Sequence, residues 1–299
     1  AFVGNGGERT VTITPLADQN GGIPVALTVK DPGGLAASSP FTVNITAVND
    51  EPSFTTGEDQ IVLEDCKEQT KTGWASDVSK GPANENYQIL TFHLTNDNND
   101  LFKDQPTVDS TGTLTYTPAD DMYGLATVTI YLTDNGGTAN GGDDTSDNDP
   151  SLDIYVDTFT IEVLSVNDQP TFSALDPDEN ITVTEDSGLY EHAWANTSTM
   201  FIGPENNEMQ TYDFYLTLGE VKVEGNTELF SKAPAIDSQT GAISFTPATN
   251  ANGTAEITVV LKDDDGIANG GLDTSVEHTF TITVSKVNDD PTFTLGDPI

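Results

Sequence analysis

One phrase recurs three times in this chain, each time closing a stretch of alternating residues. The copies read FTVNITAVNDEPSF (41–54), FTIEVLSVNDQPTF (159–172) and FTITVSKVNDDPTF (280–293), and their Asp50, Asp168 and Asp289 are spaced by 118 and 121 residues. A period of that size is one β-sandwich long, so the chain is expected to be a tandem array. On this spacing, residues 1–50 match the back part of a repeat, 51–168 and 169–289 are two full repeats, and 290–299 open another. The phrase also sets the chemistry of each joint. A strand runs straight into Asn-Asp, and a proline two residues later stiffens the chain, so amide and carboxylate oxygens sit on a short, restricted connector.

The strands are legible from their alternation. LATVTIYLTD (125–134), TAEITVVLKD (254–263) and HTFTITVSKV (278–287) switch between apolar and polar residues at period two and are rich in Val, Ile, Thr and aromatics. Each reads as a strand with one buried face, and no convincing amphipathic helix is present. Many such strands with Gly, Asn and Asp turns between them predict all-β, tandem antiparallel Greek-key β-sandwiches, arranged as beads on a string.

Aligning the two full repeats exposes a shared set of polar landmarks. Each begins Pro-Ser/Thr-Phe and reaches an acidic pair, Glu64-Asp65 or Glu185-Asp186, read here as lying mid-strand. A tryptophan follows, Trp74 or Trp194, then GPANE (81–85) or GPENNE (203–208). After GTLTYTP (112–118) or GAISFTP (241–247) comes a turn, ADDMYG (119–124) or ATNANG (248–253), and after the next strand a loop, DNGGTANGGDDTS (134–146) or DDDGIANGGLDTS (263–275). The tryptophans sit at equivalent places among apolar residues, which predicts core packing rather than sugar stacking.

The chain holds 49 Asp plus Glu against 10 Lys plus Arg, a formal charge of −39. Nucleic acid is excluded as a partner, because phosphate binding needs clustered Lys and Arg. Much of the acid falls at repeat-aligned positions, where unneutralised carboxylates would repel and weaken the compact state. Strand alternation places these positions at the sandwich ends. The joint between full repeats would draw on Glu64, Asp65, Asp120, Asp121, Asn167 and Asp168 below, with Asn206, Glu208, Asp263 and Asp273 above. The joint near Asp50 would draw on Asp18, Asn49 and Asp50 with Asn84, Glu85, Asp134 and Asp144. At the far end, Glu185, Asp186, Asn288 and Asp289 form the lower half of a third. Such all-oxygen sets suit Ca2+, which takes six to eight oxygens at roughly 2.3–2.6 Å, better than Mg2+, which retains waters. The loops offer a second arrangement, one ion held by Asp134, Asn140 and Asp144, or by Asp263, Asn269 and Asp273. Taken singly, an Asp-x-Gly or Asn-Gly here is an ordinary tight turn.

This layout resembles the cadherin-like and immunoglobulin-like tandem repeats of large bacterial surface adhesins, carried by Val-Asn-Asp-x-Pro, the Glu-Asp pair and the GGxDTS loop. The resemblance covers essentially the whole chain and implies calcium at domain junctions. Cadherins carry a related Asp-x-Asn-Asp-x-x-Pro linker, but the residue two before each Asn is Ala47, Ser165 or Lys286, so one familiar ligand is missing from each joint.

The expected function is a calcium-rigidified, extracellular spacer section of a surface adhesin or stalk, with neighbouring repeats of the same long chain as its partners. Two alternatives differ in class: a polysaccharide- or cell-binding module gripping a cell-surface glycan, and an extracellular filament subunit completed by strand addition from other copies. Catalysis is not expected. His93, His192 and His278 occupy unrelated repeat positions, and catalytic carboxylate pairs do not normally recur in every repeat. Lone Cys66 gives no disulfide framework, and no apolar run approaches the roughly 20 residues of a membrane span.

Overall fold

The computed structural model describes residues 2–3, 9–146, 157–176, 180–203 and 210–294. It divides into two compact units, Ala1–Leu164 and Ser165–Ile299. Both are all-β, and the helical residues described are single 3-10 turns such as Ala83–Glu85 and Ala268–Gly270.

The first unit opens with a short pair, β1 (Phe2–Val3) and β2 (Thr10–Val11), and a long ribbon of β3 (Gly21–Lys30) and β4 (Ala36–Ile45). A sandwich follows. Its strands are β5 (Ser53–Thr55), β6 (Gln60–Leu63), β7 (Gln69–Lys71), β8 (Ser76–Ser79), β9 (Thr91–Asn96), β10 (Phe102–Val108), β11 (Leu114–Pro118), β12 (Gly124–Thr133) and β13 (Asp157–Leu164). One sheet has the order β6-β13-β12-β9, and the facing sheet β10-β11-β7. Its period-two pattern works as expected. Ala126, Val128, Ile130 and Leu132 of β12 are fully buried, and the threonines between them face outward. Opposite them in antiparallel register come Phe159 and Ile161 of β13, paired with Val128 and Ala126. Trp74 lies across Phe159 with ring centroids 4.3 Å apart. Burying side chains of this size contributes about 1.5–3 kcal/mol each.

The second unit repeats the plan with β14 (Ile181–Thr184), β15 (Tyr190–Ala193), β16 (Tyr212–Glu224), β17 (Phe230–Ile236), β18 (Ala242–Pro247), β19 (Asn252–Asp263) and β20 (His278–Ser285). Its sheets run β14-β20-β19-β16 and β15-β18-β17. Ala255, Ile257, Val259 and Leu261 are fully buried, and Trp194 packs on Phe280 at 4.9 Å.

Among the described residues, pairing is antiparallel apart from one edge in each sandwich. β6 runs parallel to β13, and β14 parallel to β20, an addition that simple strand alternation does not anticipate. This parallel edge brings the end of β6 beside the end of β13, so Glu64 N–H donates to the Leu164 carbonyl at 2.9 Å. Glu185 does the same to Ser285 at 2.9 Å.

Candidate metal centre

A polar cluster of the first unit forms where the linker after β4 meets the loops of the following sandwich. Asp50 N–H donates to Glu85 Oε1 at 3.1 Å, and Glu85 is 3 % exposed. Gly81 has to be glycine for this approach: its φ is +94°, and a Cβ there would fall 2.4 Å from Glu85 Oε2. Burial raises the Glu85 pKa above the usual carboxylate value. The Asp50 N–H opposes that rise, and the charges of Asp50, Asp134 and Asp18 add to it. Asp134 is buried, its Oδ1 accepting from Gly136 N–H at 2.8 Å while its Oδ2 is buried with no hydrogen-bond partner. Asp18, Asp50 and Asn84 line one cleft of about 210 Å³ with Pro15 and Gln19. Asp144 lies beside Asp134, its carbonyl accepting Asp134 N–H at 3.0 Å.

The linker asparagine is held inside the loop. Asn49 Nδ2 donates to Asp134 Oδ1 at 3.0 Å and to the Asp143 carbonyl, while Gln88 Nε2 donates to Asn49 Oδ1. Neither Gln88 nor its counterpart Gln210 is among the predicted site residues, although each follows the GPANE or GPENNE segment by two or three residues. That shared spacing was the available signal. Asn140, a member of the alternative loop trio, is turned to the linker instead, its Nδ2 donating to the Ala47 carbonyl at 3.5 Å.

The second unit builds the same arrangement around Asn167. Asp263 Oδ1 accepts from Asn167 Nδ2 at 2.8 Å, and its Oδ2 is buried without a hydrogen-bond partner. Desolvation raises the Asp263 pKa; the Asn167 hydrogen bond opposes this, and Asp265 and Asp273 add repulsion. Asp273 accepts from Thr274 Oγ1 at 2.7 Å, and Asn269 Nδ2 donates to Ser165 at 2.9 Å. Asp168 comes next in the chain, partly buried. Predicted ligands Asn206 and Glu208 lie outside the described residues.

At the opposite end of each sandwich the acidic pair is not mid-strand. It forms a turn just past β6 or β14, with Asp65 at φ 58° and Asp186 at φ 60°. Short polar side chains tolerate this left-handed conformation, which explains why the strand stops there. Glu64 and Glu185 point inward, each 4 % exposed, and Glu185 Oε1 accepts Val287 N–H at 2.8 Å. The turn is tied to the next: Asp121 N–H donates to Asp65 Oδ1 at 3.0 Å, and Asn250 N–H to Asp186 Oδ1 at 3.3 Å. Carboxylate oxygens of Asp65 and Asp121 lie within 4.8 Å of one another. Asp120 is turned out to solvent, 4.0 Å from Lys103, and Asn288 and Asp289 are exposed. Burial raises the Cys66 thiol's pKa, the opposite of what a reactive thiolate needs.

No protein-family model and no curated protein matches this chain. Among solved structures it is similar to mouse Protocadherin-24 EC1-3, at 12 % identity and TM-score 0.42 over 95 % of this chain and 86 % of that one. Human Protocadherin-24 EC1-2 (Form II) gives 16 % and 0.37 over 80 % and 99 %. The adhesin InvE of Yersinia pseudotuberculosis gives 13 % and 0.25 over 78 % and 59 %. The β-sandwich assignment rests on the strand order described above.

Proposed function

We propose that this chain is a section of an extracellular spacer whose joints are stiffened by calcium. What carries the reading is the cradle at Asp50: buried Glu85 is bonded by Asp50 N–H and repelled by the charges of Asp50, Asp134 and Asp18, and one Asp134 oxygen is buried with nothing to accept from. Burying like charges together is unfavourable unless a cation joins them. The donor set contains only oxygens, which selects a hard cation, and its size and irregularity suit calcium. Asp18, Asp50, Asn84, Glu85, Asp134 and Asp144 would hold it, and calcium would supply a cross-link between linker and loops. Asp263 and Asp273 offer the same chemistry in the second unit. Location at a cell surface and partnership with further repeats of a longer chain follow from this reading.

The test is thermal unfolding in millimolar calcium against chelator, with magnesium as control. Calcium should raise the midpoint by mass action, and small-angle scattering should report a more extended, better-defined particle. Equal melting curves in calcium and chelator would sink the reading. Micromolar binding of the isolated protein to a glycan would favour the binding-module alternative.

A further inference from the structure

We propose that Asn49 and Asn167 are latch residues rather than cation ligands: each inserts its carboxamide into the neighbouring Gly-Gly loop and holds that loop, with its buried aspartate, against the linker before any ion arrives. The surroundings dictate the orientation of the amide. Around Asn167 Nδ2 stand three acceptors, Asp263 Oδ1 at 2.8 Å, the Leu272 carbonyl at 3.0 Å and the Gly266 carbonyl at 3.2 Å. On the other side Gln210 Nε2 donates to Asn167 Oδ1 at 3.1 Å. Only an NH2 group satisfies the first set, and only a carbonyl oxygen the second, so the head group is committed on both sides.

The backbone closes the same contact. Leu272 N–H donates to the Asn167 carbonyl at 2.9 Å, and Asn269, at φ 57°, returns its side chain to the Ser165 carbonyl. In the first unit Asp143 N–H donates to the Asn49 carbonyl at 3.1 Å, and Asn140, at φ 58°, reaches Ala47. The contact therefore runs in both directions, linker into loop and loop onto linker, in two separate units. The double glycines of the sequence serve it. A Cβ on Gly271 would lie 2.7 Å from Asn167 N, and one on Gly142 2.9 Å from Asn49 N. A Cβ on Gly136 would overlap the Asn49 carboxamide. An aspartate in place of either asparagine would offer no donor and would set its charge against Asp263 or Asp134. That explains why an otherwise strongly acidic chain uses the neutral residue here.

The proposal is tested in the second unit with Asn167→Asp, Asn167→Ala, Gly271→Ala and the milder Gln210→Ala, each in chelator and in calcium. The readouts are hydrogen exchange of the loop amides and the melting midpoint. A ligand role predicts that Asn167→Asp keeps or tightens calcium binding and changes nothing in chelator. The latch predicts loop exchange in chelator faster by about tenfold or more for Asn167→Asp and Asn167→Ala, with a smaller rise for Gln210→Ala. Asn167→Ala and Gly271→Ala should then fail to add, since both open one contact. Unchanged loop exchange in chelator for Asn167→Asp, or full additivity of the last pair, would overturn the proposal. The chelator measurements decide it even if the protein proves not to bind calcium.

Discussion

The ribbon β3–β4 and the hairpin β12–β13 carry the same phrase and the same pairing, but they occupy opposite environments. Val25 pairs with Phe41 as Val128 pairs with Phe159, and the two strand pairs align residue for residue back to their Asp-x-Gly-Gly turns. In the hairpin the inward face is sealed: Leu132 and Ala126 are at 0 % exposure and Phe159 at 3 %. In the ribbon the matching residues are open, Val29 at 73 %, Ile23 at 46 % and Phe41 at 39 %. The difference lies in what is opposite. The hairpin is flanked by β6 and β9 and faced by β10-β11-β7, whereas among the described residues β3 and β4 pair only with each other. Alternation in a sequence therefore specifies a face, and a second sheet is what turns that face into a core. Two strands alone are marginal in water.

The largest consequence is kinetic protection. Amides of β12 and β13 should exchange only by global opening of their sandwich, while those of β3 and β4 exchange through local opening, slower groups trailing faster ones by several orders of magnitude. Equal protection in the two places would mean that something covers the ribbon in solution. Side-chain deletion should show the same split with smaller numbers. Leu132→Ala empties a packed site and should cost about 2–5 kcal/mol. The matched Val29→Ala touches an exposed position and should stay within about 0.5 kcal/mol in denaturant unfolding.

The same comparison explains how much of the molecule is legible in its sequence. The alternating runs at 125–134, 254–263 and 278–287 predict strands, the inward residues and the sandwich class, because period-two burial is a local property of the chain. The parallel edge from β6 to β13 is not legible, since a four-residue strand carries no sign of its partner's direction. Nor is the turn at Glu64-Asp65, where a left-handed Asp65 ends the strand. At the candidate site, carboxylate positions are read from the repeat alignment; the structure bonds Asp50 N–H to Glu85 and lets the charge of Asp134 act on Glu85. The use of Asn49 escapes because an asparagine in a linker looks identical whether its oxygen or its nitrogen faces the loop. Only the acceptors supplied by Asp134 and the Asp143 carbonyl decide that.

The acidic cradle sharpens the contrast between covered and uncovered ground. Glu85→Gln keeps an oxygen for the Asp50 N–H but removes a buried charge, so in chelator at neutral pH the variant should melt above the parent. In calcium the order should reverse, because the variant has lost a ligand. The pH dependence has a definite sign. The folded-state pKa of Glu85 lies above its ordinary value, so the folded protein binds the proton first and the parent gains stability as pH falls through that raised value. The gain is complete below the ordinary glutamate pKa of 4.5 and is lost again on the way up. Subtracting the Glu85→Gln curve isolates this contribution from Asp109, Asp237 and Asp264, whose pKa values are lowered by hydrogen bonds from threonines. A variant that is less stable than the parent in both conditions would show that the charge is not the source of the cost.

The smallest expected effect belongs to Asp18, which sits on the ribbon side of the same cradle. It occupies a left-handed turn at φ 60°, a conformation that asparagine tolerates as well, so Asp18→Asn changes charge with little change of shape. Its carboxylate acts on Glu85 only as the weakest of the three neighbouring charges. In chelator the substitution should relieve that repulsion and raise the midpoint slightly, by less than Glu85→Gln does. In calcium it should weaken the ion's hold and lower the calcium-dependent gain. The ribbon contributes no sealed core here, so any effect of Asp18 on the stability of the neighbouring sandwich has to pass through its charge on Glu85. A shift in chelator as large as that of Glu85→Gln would mean that the ribbon braces the sandwich by packing after all, and the contrast between the two strand pairs would have to be redrawn.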